Sequence, residues 1–176
     1  MAGELDFAAS LRERVATLEG LPVTVLEDVQ DALVPTPGAL ELFAQARERG
    51  WVTALVSGGF HEAIDALAVR AGADHVVANR FEVSDGRLTG RTRGPVIDRE
   101  TKARTLRRLA AEHGVAMSRT VAIGDGANDV AMIRAAGLGI GFVPKPALRD
   151  AADAVVDSGN LLDCWPLMEA LLARAR

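Results

Sequence analysis

A short polar run with two carboxylates and a carboxamide follows an apolar segment in the second half of the sequence. The run is Gly124-Asp-Gly-Ala-Asn-Asp129, and the segment before it is Thr120-Val-Ala-Ile123. In an open α/β sheet, ligands bind at the carboxyl ends of the strands. Mg²⁺ is usually held by one or two carboxylates together with a substrate phosphate, so the run predicts part of a metal-assisted phosphate site. In the alternative interpretation, Asp125 shapes a turn while Asn128 and Asp129 cap the next helix.

A second candidate site is the segment Ser57-Gly58-Gly59-Phe60, which lies between a predicted strand and a predicted helix. A hydroxyl and exposed backbone N–H groups at a helix N-terminus suit a phosphate, because the helix dipole and the unpaired donors both favour an anion. The same three residues are also typical of an ordinary tight turn between a strand and a helix. The segment alone therefore leaves both interpretations open.

Lys102 is the third candidate. Leu106 and Leu109 follow it by four and seven residues, which places the lysine on the inward face of a predicted helix, close to the helix N-terminus. The helix dipole disfavours a cation at that end, so a facing anion would explain the lysine. A lysine stem that passes an apolar surface to reach water is the alternative.

The N-terminal segment carries Phe7, Arg12 and Arg14 on a predicted amphipathic helix over residues 4–18. Arginines on a helix surface are usually solvated, so the pattern alone does not indicate a binding role. The histidines share no metal-ligand spacing and are interpreted as structural or surface residues: His61, His75 and His113.

Helices and strands alternate along the chain, which predicts an α/β fold with a parallel, Rossmann-like sheet, flanking helices and right-handed crossovers. The predicted strands are 51–56, 75–78, 120–123, 138–142 and 154–156, with a small hairpin near 81–90. The predicted helices after the first are 36–50, 60–71, 98–113, one ending near 136, one after Pro146 and one from about 166. Residues 1–33 are predicted to be part of a helical cap, and residues 34–176 the α/β core.

The composition favours a folded protein and excludes several classes of partner. Of the 176 residues, 49% are hydrophobic and 25% are charged, and the net charge is −4 with no cluster of basic residues. We therefore expect no nucleic acid and no membrane surface as partner. No apolar run is long enough to span a bilayer and the start lacks a basic signal region, so a cytoplasmic location is expected. Cys164 lies between Leu162 and Trp165 and is predicted to be a core residue.

Three of these segments resemble motifs of the haloacid dehalogenase superfamily of phosphohydrolases. They are Leu55-Val-Ser-Gly-Gly-Phe60, Lys102, and Gly124-Asp-Gly-Ala-Asn-Asp-Val-Ala-Met132, which resemble the second, third and fourth motifs. Their order and spacing are most similar to those of the phosphoserine phosphatase family. Residues 3–15, followed by Leu21-Pro22, resemble the cap region of that family.

The resemblance implies a role for each motif residue of the core. Ser57 and the amide of Gly58 would hold the substrate phosphate, and Asn128 would contact it. Lys102 would neutralise the phosphate and the nucleophile in the transition state. Phosphoryl transfer depends above all on positioning and charge neutralisation, which agrees with these roles.

The resemblance also implies a cofactor and a substrate. Asp125 would ligate Mg²⁺, and Asp129 would hold waters of the metal or Lys102. In the cap, Arg14 would pair with the carboxylate of O-phosphoserine, while Phe7 and Met1 would line the apolar wall of the pocket. The oligomeric state is not predicted.

One motif of the superfamily is absent. Its members carry Asp-x-Asp-x-Thr on the first strand of the core, and no Asp-x-Asp occurs in this sequence. In such a sheet that strand lies between the strands that correspond to 51–56 and 120–123, so we expect each of these two to lack a neighbour. The sequence therefore predicts a chain that is inactive as written, a fragment of a phosphoserine phosphatase. A non-catalytic remnant or interaction module, and a related phosphatase for another small phosphomonoester, are the alternatives.

Overall fold

The computed structural model of the chain describes residues 2–174, with side chains for residues 7–171. In chain order, the helices and strands are Ala2–Ala16 (α1), Val25–Ala32 (α2), Ala39–Glu48 (α3), Ala54–Phe60 (β1), His61–Ala71 (α4), His75–Ser84 (β2), Arg87–Arg93 (β3), Arg99–Glu112 (α5), Val121–Gly124 (β4), Val130–Ala135 (α6), Leu138–Phe142 (β5), Pro146–Arg149 (α7), Ala154–Val156 (β6) and Trp165–Arg174 (α8). The predicted α/β class is confirmed.

These elements form two compact units. The first unit contains the segment up to Val34 and the segment Thr53–Asp98, and the second contains Pro35–Val52 and the chain from Arg99 onward. No helix in the described part of the chain is long and apolar enough to cross a membrane.

The first unit is built on a three-stranded sheet in the order β1-β2-β3, in which β1 and β2 are parallel and β2 and β3 antiparallel. The predicted hairpin turns at Asp85-Gly86, whose φ angles of 49° and 72° are those of a tight primed turn. The side chains that form the core of this unit come from α1, α2 and the hairpin: Leu11, Val15, Leu26, Phe81 and Leu88.

The second unit is built on the parallel sheet β4-β5-β6. Successive side chains of a strand point to opposite faces of a sheet. Accordingly, Ala122 of β4 belongs to one buried cluster with α5 and α6, while Val121 and Ile123 pack against another with α3 and α8. Both faces of this sheet are therefore covered, as expected of a parallel sheet.

Strands β1 and β4 each lie at one edge of their sheet in the part of the chain that the structure describes. Strand β1 pairs with β2, strand β4 pairs with β5, and neither has a second neighbour there. These are the strands that the sequence predicts on either side of an absent central strand. The predicted edges are thus observed in each unit.

The structure corrects several predicted boundaries. The strand predicted at 75–78 continues to Ser84, so it forms one side of the hairpin as well. The helix predicted from Thr36-Pro37 begins at Ala39, because Gly38 precedes it in the left-handed region with a φ of 77°. Helix α2 was not predicted, and β1 runs through Ser57-Gly58-Gly59 to Phe60 where a tight turn was an open alternative.

Cys164 is buried without exposed surface, as the sequence predicts. Burial raises the pKa of its thiol from 9.0 to about 11, with a smaller contribution from Asp163. The rise lowers the thiolate fraction near pH 8 about a hundredfold, and the thiolate is the reactive form. We therefore expect Cys164 in the native protein to react with a colorimetric disulfide reagent at least a hundredfold more slowly than in urea. Equal rates in the two states would contradict this expectation.

Candidate functional site

The second unit contains a buried ion pair. Lys102 in the first turn of α5 is 5% exposed and Asp129 is 4% exposed, and Lys102 Nζ donates a hydrogen bond of 2.6 Å to Asp129 Oδ1. The anion that the sequence predicts opposite Lys102 is therefore present within the chain. Removal of either partner would leave the other as an uncompensated buried charge.

The second carboxylate oxygen of Asp129 shapes the loop after β4. Asp129 Oδ2 accepts hydrogen bonds of 3.2 Å from the backbone N–H groups of Asp125 and Gly126. Gly124 is required beside this carboxylate, because a Cβ atom there would lie 2.6 Å from Cβ of Asp129. Asp129, and not Asp125, is thus the residue whose side chain shapes the turn, and both of its oxygens are occupied.

The carboxylate of Asp125 differs from that of Asp129. It is exposed and forms no hydrogen bond or ion pair with the part of the chain that the structure describes. Its backbone carbonyl accepts a hydrogen bond of 2.8 Å from the N–H of Lys145 after β5, which holds the two loops together. Asn128 is half-buried, and its amide oxygen lies over Gly126.

Asp125 and Asp129 fit a Mg²⁺ ion, because this metal needs few protein ligands. Among the side chains that the structure describes, no three His, Cys, Asp or Glu residues gather into a metal cluster. Mg²⁺ keeps several waters and is commonly bound through one or two carboxylates plus phosphate oxygens. Asp125 offers one free carboxylate, whereas Asp129 with both oxygens occupied could act on such an ion through water.

The first unit holds the segment Ser57-Gly58-Gly59 in an irregular part of β1. The Oγ atom of Ser57 accepts a hydrogen bond of 2.9 Å from the N–H of Gly59, so the hydroxyl proton is free to donate elsewhere. A Cβ atom on Gly58 would lie 3.3 Å from Cζ of Phe7, which shows that the Phe7 ring covers this glycine. Phe7 thus lies beside the predicted phosphate-binding segment.

Arg14 and Met1 are the remaining residues predicted to bind substrate in the N-terminal segment. Arg14 of α1 is exposed, and its guanidinium has no ion pair among the described residues. Met1 lies outside the described residues. The structure brings together Ser57, Gly58 and Phe7 in the first unit, and Lys102, Asp125, Asn128 and Asp129 in the second.

Asn79 was not singled out in the sequence, and His61, predicted to be a structural or surface residue, forms hydrogen bonds within the first unit. Asn79 is 2% exposed and forms one hydrogen bond with Gly58 and one with Ile97, while the ring of His61 accepts one from Ala78 of β2. The sequence feature that could have indicated Asn79 is its uncharged amide directly after the apolar residues Val76-Val77-Ala78 of a predicted strand.

A hollow of about 450 Å³ in the first unit is lined by none of the predicted site residues. It lies between the middle of β2 and the end of β3 with the segment that follows, and its lining residues are Ala78, Arg80, Arg93, Gly94, Pro95 and Ile97. The hollow is open to solvent, so we do not assign the predicted chemistry to it.

The chain is similar in sequence to known proteins. Residues 1–134 match the profile of the haloacid dehalogenase-like hydrolase family. A phosphoserine phosphatase of Lactococcus lactis is 44% identical over 171 residues, which is 97% of this chain and 79% of that protein. Phosphoserine phosphatase SerB2 of Mycobacterium tuberculosis is 53% identical over 154 residues, which is 88% of this chain and 38% of that protein.

A solved structure is also similar. The phospho-aspartyl intermediate analogue of a phosphoserine phosphatase matches with a TM-score of 0.88 and 40% identity. The match covers 95% of this chain and 80% of that one. The chain therefore spans most of the shorter relatives and a little over a third of the longer one.

Proposed function

The chain belongs to the haloacid dehalogenase-like hydrolase family, and we propose that it is the phosphate-binding and metal-supporting part of a cytoplasmic phosphoserine phosphatase. The observation that carries the proposal is the buried pair of Lys102 and Asp129 beside the free carboxylate of Asp125. A buried lysine held at the carboxyl end of a parallel strand is a positioned cation, which is what phosphoryl transfer requires. The substrate proposed is O-phosphoserine.

Each residue of the second unit has a separate task in this proposal. Lys102 supplies positive charge to the phosphate, and Asp129 fixes the position of its ammonium group. Asp125 holds Mg²⁺, which would supply further charge neutralisation when bound. The amide of Asn128 donates to a phosphate oxygen.

The residues of the first unit bind the substrate in this proposal. The hydroxyl of Ser57 donates its free proton to a phosphate oxygen, and the backbone of Gly58 adds an N–H donor. Arg14 pairs with the substrate carboxylate, because a guanidinium binds a carboxylate through two parallel hydrogen bonds. Phe7 and Met1 line the apolar wall.

The chain as written is proposed to bind this substrate without cleaving it. No Asp-x-Asp occurs in the sequence, so the superfamily's carboxylate nucleophile and its general acid are both absent from these 176 residues. This absence favours a second candidate function, in which the chain is a binding module that retains phosphate affinity without turnover.

The experiment measures both turnover and binding with the purified 176-residue chain. We expect no release of phosphate from O-phosphoserine above the Mg²⁺ blank, together with saturable, Mg²⁺-dependent binding in a calorimeter. Phosphate release that Asp125→Ala abolishes would contradict the proposed inactivity. Absence of binding at millimolar substrate would contradict the proposed site.

The same calorimetric experiment tests the substrate class. Phosphoethanolamine resembles O-phosphoserine but lacks the carboxylate, so it should bind about tenfold more weakly if a charge-assisted hydrogen bond is lost. Arg14→Ala should remove this preference, whereas Arg12→Ala on the same helix should retain it. An unchanged preference in Arg14→Ala would assign the carboxylate to another residue.

A further inference from the structure

The Ser57-Gly58-Gly59 segment is a large bulge in β1. Val56 pairs with Val77 and Phe60 pairs with Asn79, so the three residues between them face a single residue of β2. A bulge interrupts the hydrogen bonds of the ladder, and the backbone groups there need other partners. Bulges are over-represented beside active sites, where they direct groups toward a ligand.

Asn79 provides a partner for one backbone group of the bulge and for one backbone group of the segment before α5. Its Nδ2 atom donates a hydrogen bond of 2.8 Å to the carbonyl of Gly58, and its Oδ1 atom accepts one of 2.9 Å from the N–H of Ile97. The side chain is 2% exposed, so water cannot easily replace it. One buried amide therefore joins the bulge to the segment that leads into α5.

His61 provides a partner for the opposite strand. The N–H of Ala78, which faces the bulge, donates to Nε2 of His61 at 3.3 Å. The other ring nitrogen of His61 lies 2.8 Å from Oδ1 of Asp65. Because Nε2 accepts, the proton of a neutral ring is on Nδ1 and is donated to Asp65.

We propose that Asn79 is a positioning residue for phosphate binding by Ser57 and Gly58. A trans peptide places its carbonyl and the following N–H on opposite sides, so fixing the Gly58 carbonyl also directs the N–H of Gly59. That N–H bonds to Oγ of Ser57 and leaves the hydroxyl proton as a donor. Asn79 thus sets the orientation of the Ser57 hydroxyl from the far side of the peptide. The inference rests on the proposed function, in which Ser57 holds the phosphate.

The test uses Asn79→Asp and a matched control. The variant keeps the size of the side chain and the acceptor for Ile97, but an ionised carboxylate places an acceptor against the carbonyl of Gly58. Asn160→Asp is the control, because Asn160 uses Oδ1 to accept from the N–H of Leu162 at 3.0 Å and an aspartate preserves that bond. Inorganic phosphate is titrated into ¹⁵N-labelled protein in the presence of Mg²⁺, and amide shifts and hydrogen exchange are recorded.

We expect Asn79→Asp to weaken phosphate binding at least tenfold and to accelerate exchange of the Gly59 amide. The control should change phosphate affinity less than twofold. If Asn79→Asp does not fold, Asn79→Ser replaces it, since serine is neutral but too short to bridge Gly58 and Ile97. A folded variant with unchanged affinity and unchanged Gly59 exchange would overturn the inference.

Failure of the proposed function is distinguishable in the same experiment. If the unsubstituted chain does not bind phosphate, the phosphate site is wrong, and with it the phosphate part of this inference. Exchange of the Gly59 amide then decides the remaining part. Acceleration at Gly59 but not at Ile97 in Asn79→Asp supports Asn79 as the residue that fixes the bulge, and no acceleration at Gly59 overturns it.

Discussion

Replacing Lys102 by methionine is expected to lower the free energy of unfolding by about 3 kcal/mol. Methionine matches the length of the lysine stem, so the change removes the charge and leaves little cavity. Asp129 would then be a buried carboxylate with only the two amide hydrogen bonds of its own loop. The helix dipole disfavours a cation in the first turn, so its removal returns less than about 1 kcal/mol. Urea unfolding gives the value.

Tryptophan fluorescence is a suitable signal for that measurement. The rings of Trp51 and Trp165 stack with centroids 5.0 Å apart, and both belong to the second unit, which also contains Lys102. The sequence has no other tryptophan. The transition therefore reports the unit in which the charge is removed.

Arg108→Met is the matched control for Lys102→Met. Arg108 lies on the same helix and pairs with Glu112 at 2.8 Å, but the side chains of this pair are 53% and 49% exposed. An exposed pair of this kind contributes at most about 0.5 kcal/mol. A loss in Lys102→Met no larger than in Arg108→Met would show that the buried pair is not held as the structure indicates.

A double variant separates the pair from its surroundings. Asp129→Asn alone places an amide where a carboxylate accepts from Lys102 and two backbone N–H groups, and it should also destabilise the protein. In Lys102→Met with Asp129→Asn, no charge remains buried, so the combined loss should be smaller than the sum by about 1–2 kcal/mol. Strict additivity would mean that the two residues act independently.

The burial of Lys102 could be predicted because it follows from periodicity. Leu106 and Leu109 mark the inward face of α5, and a residue four positions earlier lies on that face whatever its chemical type. The strands of the second unit could also be predicted from local pattern, because their branched residues lie between glycines and the N-termini of helices. Local pattern was sufficient for these features because each depends on neighbours in the sequence.

The arrangement of hydrogen bonds could not be predicted in the same way. The resemblance implies that Asp129 holds either waters of the metal or Lys102, and the structure shows it bonded to Lys102 and to two N–H groups of its own loop. Likewise, the partners of Asn79 are 21 and 18 residues distant along the chain. Such contacts depend on the register between β1 and β2, which a bulge shifts without a periodic signal.

Replacing Gly124 by alanine is expected to lower the free energy of unfolding by about 2 kcal/mol, because Gly124 packs against the carboxylate that holds Lys102. The new Cβ atom would lie 2.6 Å from Cβ and 2.8 Å from Cγ of Asp129. These atoms cannot move away easily, because Oδ1 is held by Lys102 and Oδ2 by the amides of Asp125 and Gly126. Relief of the contact must therefore displace the carboxylate and lengthen the ion pair.

Gly126→Ala on the same loop is the control for Gly124→Ala. Its Cβ atom would lie 2.7 Å from Oδ1 of Asn128, which is the end of a side chain that can rotate away. We expect a loss below about 0.5 kcal/mol, because only the rotamer of the half-buried Asn128 has to change. Urea unfolding gives both losses. If Gly126→Ala destabilises the protein more than Gly124→Ala does, close packing against Gly124 does not fix the Asp129 carboxylate or the position of Lys102. If Gly124→Ala is as predicted, its effect should also be smaller in the background of Lys102→Met, because the carboxylate is then free to move.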